Sequence, residues 1–426
     1  ASSLGGNIVA FAEADYTDQD DASLWTSGQY ISDSDGDADS YFGIVASDVQ
    51  LAGLQFTIPD ATTTVTVAPT ATLGVDGTII VAPSVLANDQ AITGGFLTGA
   101  AGGGLVGVQQ NGGGTFTIAS TIIDNGADVI GFTKGGRGIV RLPGANPYTG
   151  VPTPSGGRLE VTSIANGGAA SSIGQSTADS SNLVLENGTF AYVGGTDAVS
   201  DRGLTLVNAG AGAPTIEVNA SRTLEFSGLV TSPDDAGLTK TGLGTLVLSN
   251  DANDYVGATT ITGSSGGQNS TLSVDTLSNG GVASGMGAAT NASANLVLSD
   301  GGRLQYTGGT DPNNRGFTLG SGNGGIDVAQ AGTILTVSGI ASGTGSFVKD
   351  GDGTLVLSGI NTYTGDTVVS GGTLRAGSAN AFGSGERYMT VNAGAALDLG
   401  GFDISAGGLA GAGTVNLGAN TLTTAG

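Results

Sequence analysis

Short runs in which apolar and polar residues alternate fill this chain, and Gly or Asn-Gly breaks them roughly every 8 to 12 residues. Thr62-Thr-Thr-Val-Thr-Val-Ala alternates as a strand with one buried face does. Thr78-Ile-Ile-Val-Ala and Gly114-Thr-Phe-Thr-Ile-Ala read the same way. No window sustains a 3.6-residue period on good helix formers. The pattern predicts an all-β protein built of many short strands. A coil made of such strands hides its inward Val, Leu and Ile only if another coil stacks on it, which points to a solenoid.

One stretch occurs three times and organises the rest. It reads Phe132-Thr-Lys-Gly-Gly-Arg-Gly-Ile-Val-Arg-Leu, then Asn146, Tyr148 and Gly150. It returns as Leu238-Thr-Lys-Thr-Gly-Leu-Gly-Thr-Leu-Val-Leu with Asn253, Tyr255 and Gly257. Its third copy is Phe347-Val-Lys-Asp-Gly-Asp-Gly-Thr-Leu-Val-Leu with Asn361, Tyr363 and Gly365. Lys134, Lys240 and Lys349 are the only lysines in the chain and set a period of roughly 105 to 110 residues. An apolar residue and Lys end one strand, two glycines make a tight turn, and an apolar run forms the next strand. Lysines confined to one repeat position suggest a structural task, capping stacked carbonyls or pairing with an acid. The alternative is a ligand contact. A second block recurs at an offset of 113 or 114. It pairs Ala165-Asn-Gly-Gly with Ser278-Asn-Gly-Gly, and Arg202-Gly-Leu-Thr-Leu with Arg315-Gly-Phe-Thr-Leu.

Lys349-Asp-Gly-Asp-Gly-Thr-Leu-Val-Leu-Ser-Gly-Ile-Asn-Thr-Tyr-Thr-Gly365, ending in Gly371-Gly-Thr-Leu-Arg-Ala-Gly377, resembles the passenger-associated β-strand repeat of bacterial autotransporters. The second copy matches well, and the first departs at Pro143, Pro147 and Pro152. The resemblance implies a right-handed parallel β-helix exported to the bacterial cell surface, and a C-terminal outer-membrane barrel that this chain does not contain. It implies no particular activity. Ser84-Val-Leu-Ala-Asn-Asp89, followed by Gly112-Gly-Gly-Thr-Phe-Thr-Ile118, resembles bacterial cadherin-like and Ig-like adhesin modules. Three regions are therefore expected. Residues 1–60 form an acidic N-terminal segment. Residues 61–125 form a smaller N-terminal β domain, either sandwich-like or the first solenoid coils, with the sandwich slightly favoured. Residues 126–426 form the β-helix of long repeats.

Charge changes the picture at the N-terminus. The net charge is −24, and the 15 acids before Lys134 face no basic residue. Such a balance excludes a general nucleic-acid binder and disfavours an anionic membrane surface. Asp33-Ser-Asp-Gly-Asp-Ala-Asp39 alternates carboxylates with small residues around a Gly, a pattern that suits Ca²⁺. Asp33, Asp35, Asp37 and Asp39 are the candidate calcium ligands, with Asp18, Asp20 and Asp21 as a second cluster. The position that would carry Glu in an EF-hand is Ile44, so this is not that motif. A solvated acidic turn is the plain alternative.

The chain has no Cys and no His, which removes disulfides, thiolate and imidazole metal sites, and Ser-His triads. No run of 18 apolar residues is present, so nothing here inserts into a membrane as a helix. Ala1-Ser-Ser is consistent with a processed N-terminus left by signal-peptide removal. Asp350 and Asp352 flank a Gly in one copy of the repeat only, and Asp234-Asp235 lies in a Ser-Pro-Asp-Asp-Ala-Gly turn. Both pairs read as solvated turns rather than paired catalytic carboxylates.

Three functions compete on this reading, all for an extracellular protein. A non-catalytic fibre subunit assembling head to tail stands first, with Leu409, Val415, Leu417 and Leu422 on its uncharged C-terminal coil as the assembly surface. An adhesin passenger that contacts host or neighbouring-cell glycans or proteins stands second. A polysaccharide-degrading β-helix enzyme is a distant third.

Overall fold

The computed structural model describes residues 17–18, 21–33, 41–58, 62–210, 212–264, 268–384 and 387–425. The chain is all-β, with a few single-turn 3₁₀ segments and no α-helix among the described residues, and forms a parallel β-solenoid of about 15 turns. It divides into two compact units, 1–160 with 169–176, and 161–168 with 177–426.

In the first unit a seven-stranded parallel sheet runs through Thr17–Asp18, Tyr30–Ser32, Gly53–Phe56, Thr78–Val81, Gly104–Gln110, Ile130–Gly135 and Pro152–Pro154. Its second sheet joins Tyr41–Val45, Thr63–Val75, Gln90–Thr98, Thr115–Ile118 and Ile139–Leu142. The pairings across 63–122 are all parallel, the arrangement of solenoid coils. An Ig-like sandwich pairs its strands antiparallel, so the slightly favoured sandwich form is not what this stretch adopts. The reason is visible in the pleat. Leu54 and Ile79, then Val65 and Ile92, are register partners with fully buried side chains. Each inward residue is thus covered by its counterpart one coil away. Pro152-Thr-Pro154 pairs with Phe132, Thr133 and Lys134 as an outermost strand of its sheet. That is where a strand tolerates residues with no amide to donate.

In the second unit a ten-stranded parallel sheet runs from Ala198–Ser200 to Gly408–Gly411, beside a six-stranded sheet from Asp311–Asn313 to Thr414–Asn416. The coils differ in length. Leu355 pairs with Leu374, 19 residues on, whereas Leu272 pairs with Leu304, 32 residues on. Corner loops absorb the difference, so the inward ladder stays in register. Leu224, Leu246, Leu272, Leu304 and Ile326 form one such ladder, buried throughout. Full burial of each such side chain contributes about 1.5–3 kcal/mol.

Candidate functional site

The three lysines stand inside these ladders. Val108, Lys134 and Pro154 are register partners, as are Ile216, Lys240 and Ile261, and Ile326, Lys349 and Val369. All three lysines are fully buried. Each ammonium folds back on the Gly-x-Gly turn that follows it. Lys134 Nζ donates to the carbonyls of Gly136 and Gly156 at 2.9 and 2.6 Å. The three N–H groups of Lys240 are shared among four acceptors, the carbonyls of Thr241, Gly242 and Gly244 at 2.6, 3.1 and 2.9 Å and Ser270 Oγ at 3.0 Å. Lys349 Nζ donates to Asp350, Gly351 and Gly371 at 2.6, 2.8 and 3.1 Å. The turns present their carbonyls inward because Gly136, Gly242 and Gly351 take φ of +71°, +73° and +75°, which a side chain would oppose. Burial pulls Lys134 and Lys349 from the ordinary lysine range to about 8 and Lys240 to about 7.

The repeat's Asn and Tyr also work within the fold. Asn146, Asn253 and Asn361 are buried at coil corners. Each accepts through Oδ1 from an amide one coil back, on Ile122, Val230 and Ala341 in turn, at 2.7–2.8 Å. Each donates through Nδ2 to a carbonyl one coil on, of Ser172, Gly285 and Ala381, at 3.0, 3.2 and 2.5 Å. Tyr148, Tyr255 and Tyr363 are fully buried. Tyr255 Oη meets Thr259 Oγ1 at 2.9 Å, and Tyr363 Oη meets Thr367 Oγ1 at 2.8 Å. Gly174, Gly287 and Gly383 press against these tyrosines with positive φ, leaving no room for a Cβ.

Sequence reasoning noticed Arg202 and Arg315 but gave them no role. Both are buried, and both donate through Nε to a corner carbonyl, of Ala165 and Ser278. Arg315 also donates to Val282 and Gly287 carbonyls at 3.0 and 2.7 Å. Arg387 donates to Gly383 and stacks over Tyr363, 5.7 Å from the ring centre. Here cations replace amides as the partners of irregular corner backbone.

Of the candidate calcium ligands, Asp20, Asp35, Asp37 and Asp39 lie outside the described residues. Asp18 is paired through its backbone with Ser32. Asp21 caps a 3₁₀ turn, accepting from Ser23 N at 2.9 Å. Asp33 is buried, and its Oδ1 accepts from the Thr57 amide and from Thr57 Oγ1. Its Oδ2 is buried without a hydrogen-bond partner of ordinary geometry. Burial pushes this carboxyl up, against the bonds from Thr57. Among the described residues no three acids converge on a point that could hold a metal ion.

Leu409, Val415 and Leu422 lie on strands paired with Tyr388–Val391, Ala396–Asp398 and Ile404–Ala406 respectively. Leu409 and Leu417 are exposed, Val415 and Leu422 half-buried. Asp234 accepts from the Asn208 amide, and Asp350 Oδ1 from the Gly351 amide, so both acids serve turns.

The passenger-associated transport repeat matches residues 238–263 and 347–376. Along 424 residues, 99% of its length, the chain is 56% identical to a Brucella suis protein described as adhesin BmaC autotransporter. It spans only 12% of that relative. No solved structure matches the chain. The relative supports the adhesin reading over the fibre subunit ranked ahead of it, and nothing in these matches supports head-to-tail assembly. The resemblance first carried by Lys349 and its neighbours is thus met twice: two stretches of the chain carry the passenger-associated transport repeat, and nearly its whole length is similar to part of an autotransporter described as an adhesin.

Proposed function

We propose that this chain is a non-catalytic part of an adhesive autotransporter passenger, displayed outside a bacterial cell, whose solenoid holds binding surfaces away from that cell. The observation that carries the reading is the 56% identity along nearly the whole chain to a protein described as an adhesin. The chemistry of the interior agrees with it. The buried lysines and arginines described above are engaged with backbone carbonyls, and Asp234 and Asp350, one from each carboxylate pair weighed as catalytic, accept from backbone amides. Binding is therefore expected on the outer faces of the sheets and at their corners.

Beads coated with the purified chain test this. They are expected to attach to cultured animal cells above albumin-coated beads, and soluble chain is expected to compete. Attachment no better than albumin, or release of sugars from soluble polysaccharides, would overturn the reading.

A further inference from the structure

The outer face of the ten-stranded sheet carries a groove of about 390 Å³, within the usual range for small-ligand sites. Ser264, Asp300, Asn323, Ser346 and Asp366 supply its polar lining, and Val348 and Val368 its apolar lining. The polar residues stand on successive rungs. Asn323 pairs with Ser346. Phe347 pairs with Thr367, which sets Ser346 beside Asp366. The Tyr388 amide donates to Asp366 Oδ1 at 2.9 Å, and Tyr388 pairs with Gly408. At strand spacing the row from Asn323 to Tyr388 covers about 14 Å.

Three features ask for a ligand of one kind. Asn323 Oδ1 is buried and makes no hydrogen bond within the chain, so turning this amide out toward a ligand would break none at that atom. Tyr388 borders the groove one rung beyond Asp366 without lining it; it is 62% exposed, with its ring lying over Gly408, where a side chain would displace it. An aromatic ring with one open face and a polar tip suits a partner that is apolar on one side and wet on the other. Asp300 and Asp366 lie three rungs apart, about 14 Å, far beyond what one Ca²⁺ spans with ligands at about 2.5 Å. No basic residue lines the groove. The match is an extended chain of hydroxyl donors with apolar ring faces.

We propose that this row is a binding groove for an uncharged or amine-bearing oligosaccharide. Asn323, Ser346 and the two carboxylates accept from its hydroxyls, and Tyr388 stacks on a sugar face. The carboxylates and the net charge of −24 disfavour sialylated and sulfated glycans. The proposal rests on the adhesive reading and gives it a ligand class and a location.

The test uses the whole chain on immobilised oligosaccharides of three classes: uncharged, amine-bearing, and sialylated. Tyr388→Ala and Asn323→Ala are compared with the parent and with Thr245→Ala, an outward residue on another part of the same sheet. Melting is followed for each. Binding of an uncharged or amine-bearing glycan is expected, weakened at least tenfold by Tyr388→Ala and by Asn323→Ala and unchanged by Thr245→Ala. Sialylated glycans are expected to bind at least tenfold more weakly. The groove is refuted by no binding in the first two classes, by variants that melt and bind like the parent, or by preference for sialylated glycans. Tighter binding of a basic peptide than of any sugar refutes it too. Bead attachment is scored in parallel. Attachment by a parent that binds no sugar removes the groove alone, whereas a parent that does not attach removes the adhesive reading.

Discussion

Asn361 donates from Nδ2 to the carbonyl of Ala381, 2.5 Å away in the next coil. Its Oδ1 accepts from Ala341 in the coil before, at 2.7 Å. One side chain therefore fixes the height of three coils at a corner where the ladder is interrupted. Replacing it by Leu keeps the branching, adds some bulk, and leaves a buried amide and a buried carbonyl without partners. Asn361→Leu is expected to cost about 2–4 kcal/mol, read as a lower denaturation midpoint. A midpoint equal to the parent's would mean that water replaces both bonds and that the asparagine does not hold the coils.

Lys240→Met removes the donor to three carbonyls and Ser270 Oγ at once. A single lost bond would cost roughly 1 kcal/mol, but four buried acceptors left together raise the expectation to about 3 kcal/mol. Because Nζ is enclosed, glycan binding and cell attachment should not change in the folded variant. A variant that melts like the parent yet fails to attach would make the lysine a ligand contact instead.

How much of this was legible follows from particular residues. The Gly-x-Gly turns and the strands on either side were readable, because alternation and Gly placement are local signals. The inward direction of the lysines was also written there. Phe132 and Lys134, Leu238 and Lys240, and Phe347 and Lys349 stand two apart, so on a strand they share a face. Coil length was not readable. The step from Leu272 to Leu304 contains a corner loop, 276–295, whose order depends on Arg315 reaching its carbonyls from a later coil. The groove was invisible for the same reason. Asn323, Ser346, Asp366 and Tyr388 are separated by unequal intervals, and only the register brings them into a row.

Gly383 and Gly309 make a matched pair. Gly383 has φ +83°, and a Cβ there would lie 2.4 Å from the Tyr363 carbonyl oxygen. Gly309 has nothing within 4 Å of that position. Gly383→Ala is expected to cost about 3 kcal/mol, and Gly309→Ala less than about 0.5 kcal/mol. Equal melting of the two variants would show that the corner rearranges freely around Tyr363.

Calcium is a separate question. We propose that the acidic sequence beginning at Asp33 takes Ca²⁺, because a buried Oδ2 without an ordinary donor is an acceptor suited to a cation. Calcium is expected to raise the melting temperature and a chelator to lower it. Asp37→Asn should shrink that difference. Identical melting in both conditions, with no heat on titration, would dispose of the site.

Burial raises the carboxyls of Asp33, Asp275, Asp311 and Asp327 above the ordinary range, with help from Asp251 at Asp275 and from Asp350 at Asp327. Between the ordinary value of about 4 and those raised values, the folded state holds more protons than the unfolded one. Stability from these groups is therefore lost as pH rises through that window, and mild acid should stabilise the solenoid. Asp21 and Asp179 act oppositely. Bonds from Ser23 and Ser181 hold them low, so their contribution fades only as pH falls below about 4. The lysines govern the alkaline side. With Lys240 at about 7 and Lys134 and Lys349 at about 8, the unfolded chain binds more protons from there up to the ordinary value of 10.5. Stability should rise with pH across that range. The curve of melting temperature against pH is thus expected to have a shallow minimum near neutrality, rising into mild acid and again toward pH 9. Lys240→Met should flatten the alkaline limb and leave the acid limb intact. The carbonyls around each Nζ favour the charged form and oppose the effect of burial. A parent curve flat from pH 7.5 to 10 would mean that they prevail and that the lysines stay protonated throughout.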